Sequence, residues 1–238
     1  KKKNLHKSRS TSMMRLIPRI NNISHCFTSF NFAQIKDSSF KEKHKTLILK
    51  FQQTRMKSDW RIKELDIDKM NTRQREVYHS IQEGPRRGLP APLKVWMHSA
   101  ELANRAEKLG EFCRYGTSLK PQLSELAILV TGRHWGSQYE FAVHKEEALK
   151  AGLDPEIIQA IQENRVPGFQ EEDQELVYQF TRTLHEMKEI PDDLYQKAIE
   201  VLDETQVVDL VGILGYYSLI SMTCNVFKLP ADPYEKPW

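Results

Sequence analysis

The chain reads as an all-α protein: a single-domain bundle of about eight helices, preceded by a basic N-terminal segment and followed by a short proline-rich tail. Three observations predict this. From Asp66 onward apolar residues recur at three- and four-residue spacing, Pro and Gly fall at the ends of those periodic stretches, and no stretch shows the alternation of a half-buried strand.

Asp66 and Asp68 offer caps for a first helix running to about Gln82, with Met70, Gln74, Val77, Tyr78 and Ile81 on one side and Gly84-Pro85 as its stop. Arg86 to Pro92 contains two prolines and Gly88 and reads as a loop. Ser99 caps the next helix, whose apolar stripe is Leu102, Ala103, Ala106, Leu109 and Phe112, ending near Tyr115-Gly116. Pro121 suits the first turn of a third helix, where a missing N–H costs nothing. There Leu123, Leu126, Ala127, Ile128 and Val130 nearly surround the axis, which implies burial on more than one side, with Glu125 inside the run.

The helix carrying Glu140 and His144 runs to Ala151 and stops at Gly152, and Asp154-Pro155 opens a short one with cap and first-turn proline in order. Beyond the Val166-Pro167-Gly168 turn, three more are expected over 172–187, 191–202 and 206–226. Three prolines between Pro230 and Trp238 rule out helix in the tail, 230–238.

Charge divides the 238 residues unevenly. Residues 1–57 hold 14 Lys and Arg against Asp37 and Glu42 alone, which leaves 21 basic and 30 acidic residues for the remainder. The overall +3 describes neither part, so it carries no signal for nucleic acid. The extension, 1–57, admits three readings: disorder, a transit-like segment around Met13 to His25, or upstream sequence. Cys26, Cys113 and Cys224 form no Cys-x-x-Cys or zinc-type cluster and suit a reducing compartment. The most apolar stretch, Val207 to Val226, is interrupted by Asp209 and Asn225 and reads as a buried helix, not a membrane span. The expected location is cytoplasmic, or organellar should the basic segment be a transit peptide.

The run from Ser124 to His144 carries the chemistry. An amphipathic helix containing Glu125 passes Gly132 and Gly136 and is followed by Glu140 and His144, four apart and so on one helical face. A carboxylate beside an imidazole is a candidate acid/base pair. With Ala148 to Ile157 after it, and with Gly84-Pro85-Arg86, Leu119-Lys120-Pro121 and Gly215-Tyr216-Tyr217, this run resembles the carboxymuconolactone decarboxylase and alkylhydroperoxidase D-like superfamily over roughly 58–229. That family is all-helical. Its segment has a Glu on one helix and then either Cys-x-x-Cys-x-x-x-His or a cysteine-free Glu-x-x-x-His on the next. The chain has the second form, with Ser137 and Glu140 where the peroxidase branch has its cysteines.

The resemblance implies a lyase acting by acid/base chemistry on a small carboxylated lactone or related ring acid. His144 would be the functional histidine, Glu140 its orienting partner and Glu125 a member of the relay. It also implies a homotrimer or homohexamer and no cofactor. Such a substrate needs a cationic clamp for its carboxylate, for which Arg86 stands first and Arg133 second, ahead of Arg87 and Arg114. His134, Trp135 and Tyr139, at the break between the two central helices, are the expected pocket lip. No metal site is expected, because the Glu-x-x-x-His spacing lacks the second histidine of a zincin. Two alternatives keep the fold: an alkylhydroperoxidase-like oxidoreductase relative without its thiols, and a non-catalytic oligomeric binding protein.

Overall fold

The structure is a computed structural model that describes residues 60–85 and 88–231. Arg86 and Arg87, the extension and the end of the tail lie outside the described residues. What is described belongs to one compact unit, Arg55–Trp238, and it is all-helical. Nine α-helices and no strand occur among the described residues: α1 (Thr72–Glu83), α2 (Ala91–Trp96), α3 (Ala100–Glu111), α4 (Pro121–His134), α5 (Gln138–Lys150), α6 (Pro155–Gln162), α7 (Glu172–Met187), α8 (Asp192–Val201) and α9 (Glu204–Phe227).

The helix beyond the expected eight is α2. It starts inside the stretch read as a loop, because prolines in a first helical turn lose no hydrogen bond there. The start of α1 also differs. Asp66 caps only a 3₁₀ turn, Ile67–Lys69, and Asn71 begins the helix through a capping box with Gln74.

α4 is the axis of the bundle. Every residue from Leu123 to Gly132 is buried, and α5, α6, α7 and α9 pack around it. It ends in a Schellman motif: Gly136, at φ 62°, donates to Arg133 O at 3.1 Å, and Ser137 N donates to Gly132 O at 2.9 Å. That left-handed turn, which glycine adopts at least cost, reverses the chain so that α5 lies back along α4.

α3 buries a different face from the one its large residues suggest. Ala103, Ala106, Glu107 and Gly110 are inward, while Leu102, Leu109 and Phe112 are over 40% exposed. The reason is the approach of α9, since only small side chains fit where Tyr216 comes against α3.

α9, with 24 residues and a mean hydropathy of 1.6 in its most apolar window, is long and apolar enough to cross a bilayer by length and composition alone. Most of that window is buried against other helices. Its one inward carboxylate, Asp209, accepts hydrogen bonds from Ser118 N and Ser118 Oγ, both at 2.8 Å, and so ties the segment before α4 to the core.

Candidate functional site

Glu125 sits in the first half of α4, and seven residues on, about two turns, Gly132 lies on the same face. A β-carbon on Gly132 would stand 3.5 Å from Phe141 N and 3.8 Å from Glu140 Cβ, so α4 and α5 meet closely along this face. The approach brings a carboxylate from each helix to one imidazole. His144 Nδ1 is 2.6 Å from Glu125 Oε2, and His144 Nε2 is 3.0 Å from Glu140 Oε1. The ring is 2% exposed. Sequence spacing joined Glu140 to His144 across one turn; the tertiary contact adds Glu125 on the other nitrogen.

Burial works against a charge on His144, but Glu140 and Glu125 more than offset it through charge and hydrogen bonds, and its pKa rises to about 9. At neutral pH the ring is therefore an imidazolium between two carboxylates, with both N–H groups donated. It has no ring nitrogen left to offer, so a proton leaving or entering this unit must pass through a carboxylate. Glu125 is the outer one, its side chain 11% exposed against 5% for Glu140.

Two further residues complete the site, and the candidate set read from the sequence gave neither a leading role. Tyr217 of α9 stands edge-on to His144 with ring centroids 4.8 Å apart. Burial, and then Glu140 and Glu125, hold its phenol well above the usual range, so it stays protonated. Arg114 follows α3 in a π-helical turn, Phe112–Gly116. Its guanidinium is 3.4 Å from Glu147 and near enough to Tyr217 and Glu125 to feel both. Partial burial disfavours its charge, yet Tyr115, Tyr217, Glu147 and Glu125 outweigh that and raise its pKa.

The expected substrate-binding residues do not gather here. On α4, His134 is nine residues from Glu125, which is two and a half turns and thus the opposite face. His134 and Arg133 line a separate cleft with α7. Arg133 Nε donates to Gln162 O at 3.1 Å. Trp135 is strapped to α9: its Nε1 donates to Ser218 Oγ at 3.0 Å and its carbonyl accepts from Asn225 at 2.7 Å. The Tyr139 hydroxyl accepts from Ala91 N at 3.4 Å, at the first turn of α2. These contacts make Trp135 and Tyr139 braces between helices. Arg86 lies outside the described residues.

Ser137 is fully buried, and Cys224 of α9 lies beside it and Glu140. Burial, then Glu140, push the Cys224 thiol far up, against a smaller opposing contribution from Ser137. Cys113 is pushed up to about 11 by burial and by Asp209. Neither has the character of a reactive thiolate. No group of three or more His, Cys, Asp or Glu side chains that could hold a metal ion occurs among the described residues.

No protein-family model matches the chain, and no curated protein matches it.

Proposed function

We propose that this chain is a proton-transfer enzyme: a carboxymuconolactone decarboxylase-like lyase that removes carbon dioxide from a small carboxylated lactone or related ring acid without a cofactor. The observation that carries the reading is the buried Glu125–His144–Glu140 unit, with its 2.6 Å contact on the Glu125 side and the Arg114 cation beside it. Arg114 takes the clamp role first given to Arg86 and Arg133. A substrate carboxylate pairs with its guanidinium until the bond to the ring breaks. The electron pair released as carbon dioxide leaves moves into the conjugated ring carbonyl, and the resulting carbanion needs one proton. Glu125, taking that proton from the His144 imidazolium, delivers it to carbon. Water returns a proton to the unit for the next turnover. Glu125 is then the catalytic acid, and His144 and Glu140 position and supply it.

The test is carbon dioxide release from 4-carboxymuconolactone by the purified chain. Glu125→Gln, with unchanged helical circular dichroism, is expected to lower kcat at least 100-fold. Arg114→Gln is expected to act chiefly on KM. No turnover by the parent chain, or equal turnover by Glu125→Gln, removes the proposal.

One observation favours a second reading, a non-catalytic oligomeric binding protein. The His144 ring is 2% exposed with both nitrogens engaged, which is also how a purely structural ion network is built. On that reading the Glu125→Gln change lowers stability and alters no reaction. The oxidoreductase alternative loses support from the raised pKa values of Cys113 and Cys224.

Under both leading readings we propose self-association, as a homotrimer or homohexamer. Val208, Val211, Met222 and Val226 form an exposed apolar stripe along α9, and Leu109, Phe112 and Tyr115 expose apolar surface next to Arg114.

A further inference from the structure

The residues before α1 form a strap tied to its neighbours at several points. Arg61 N donates to Phe227 O, at the end of α9, at 3.1 Å, and the His98 imidazole donates to Lys63 O at 2.8 Å. Gln74 Nε2 donates to Met97 O at 2.9 Å and so fixes α1 against the end of α2. Between the strap, α1 and α2 a cavity of about 310 Å³ remains.

Its walls are mostly apolar: Leu65, Ile67, Met70, Leu89 and Met97. Met97 is fully buried and Met70 nearly so, which puts both at the floor, while Ile67 is half exposed and belongs to the rim. Two methionines at the floor make a surface that adapts to the shape of what it meets. Tyr78 and Gln82, one turn apart on α1, line the cavity as well, and no hydrogen bond to another described residue engages the phenol hydroxyl or the amide. Both groups can donate and accept.

Charge at the cavity is balanced. Of the described residues that line it only Glu64 and Lys94 are charged, and they pair with each other at 2.7 Å. No net field draws an ion in, and an ionised ligand would leave water for apolar walls without gaining a free counter-charge.

We propose that this cavity binds a small uncharged alcohol, phenol or ketone: an apolar body against the methionine floor, with one oxygen hydrogen-bonded to Tyr78 or Gln82. An apolar cavity of about 150 Å³ is enough to take up benzene. Twice that volume holds a body the size of two fused rings. Such a site is independent of the chemistry at His144 and selects against the carboxylated ring acids proposed for that centre.

The experiment is calorimetric titration of the full chain with 2-naphthol and with 2-naphthoate, the same ring body uncharged in the first and anionic in the second at neutral pH. The expected result is saturable one-to-one binding of 2-naphthol, at least tenfold tighter than 2-naphthoate. Leu65→Asp, which puts a charge into the strap side of the wall, should weaken 2-naphthol at least tenfold. Tyr78→Phe/Gln82→Leu, which keeps the walls and removes the polar pair, should weaken it at least threefold, and Arg105→Gln on α3 should bind as the parent does. In the parent chain the methyl resonances of Met70 and Met97 should move on addition of 2-naphthol while that of Met222 on α9 does not, a readout that stands even if a variant fails to fold. Absence of saturable 2-naphthol binding, equal affinity for 2-naphthoate, unchanged affinity in either cavity variant that folds, or a shift at Met222 without one at Met70 and Met97 overturns the proposal.

Discussion

Tyr217 closes over His144 edge-on, its ring plane at 83° to the imidazole, and takes from the ring the water that would otherwise support its charge. The two carboxylates nevertheless keep the ring protonated, with a pKa of about 9 in the folded chain. The unfolded value is near 6.5. A group whose pKa rises on folding contributes stability that is complete below the unfolded pKa and is lost as the pH passes the folded one. The urea midpoint should therefore fall between pH 6.5 and 9.5, by an amount corresponding to roughly 3 kcal/mol at most. In His144→Gln that decline should disappear. A flat profile in the parent chain, or the same slope in the variant, contradicts an imidazolium held at this position.

The two carboxylates should separate under substitution. Glu125→Gln and Glu140→Gln each remove one negative charge from a buried imidazolium and leave the other, and each should cost about 1–3 kcal/mol in denaturant titrations. The more enclosed Glu140 should cost at least as much as Glu125. Both changes should lower the His144 pKa as followed by NMR. Only the Glu125 change should abolish turnover outright, because only that carboxylate is offered as the group that meets the substrate. Equal kinetic effects from both would return the reacting role to the histidine.

The pairing of Glu140 with His144 was legible from four-residue spacing, and the central position of α4 from its near-continuous apolar surface. Glu125 stood out as a carboxylate inside that apolar run, and its place beside the histidine was implied by the family resemblance. What spacing could not supply was geometry between helices. Arg133 and His134 adjoin the break after α4 in sequence, yet two and a half turns separate His134 from Glu125, and counting turns alone would have removed it from the pocket. Tyr217 and Arg114 reach the site from α9 and the π-helical turn, outside the two helices that carry Glu125, Glu140 and His144. No local period encodes such a contact. The exposed large residues of α3 misled for a related reason: the helix meets its neighbour through Ala and Gly, and a hydrophobicity pattern gives small residues too little weight.

That small-residue contact makes a further prediction. A β-carbon on Gly110 would lie 2.1 Å from the Tyr216 hydroxyl oxygen and 2.3 Å from Tyr216 Cζ, inside any permitted separation. Tyr216 is buried and wedged edge-on against both Trp96 and Tyr217, so it cannot yield without disturbing the ring above His144. Alanine normally stabilises a helix interior over glycine by about 1 kcal/mol. Here the overpacking, about 1–3 kcal/mol or more, should win. Gly110→Ala is expected to lower the urea midpoint and shift the His144 C2–H resonance. A variant as stable as the parent would mean that α3 and α9 are further apart than described.

The apolar stripe of α9 bears on assembly. Val208 is 70% exposed and Val226 54%, with Val211 and Met222 between them along the helix. Between these residues Gly212 and Gly215 have nothing within 4 Å of where a β-carbon would stand, so a partner's side chains could approach the helix backbone there. An isolated chain would leave this surface in water at about 25 cal/mol per Å² of apolar area. Light scattering should accordingly give a multiple of 27.8 kDa. Val211→Lys with Met222→Lys should shift the mass to that of one chain without reducing helical content, since neither side chain belongs to the core. A parent chain that is monomeric at micromolar concentration refutes self-association through this face, and the stripe would then need a different occupant.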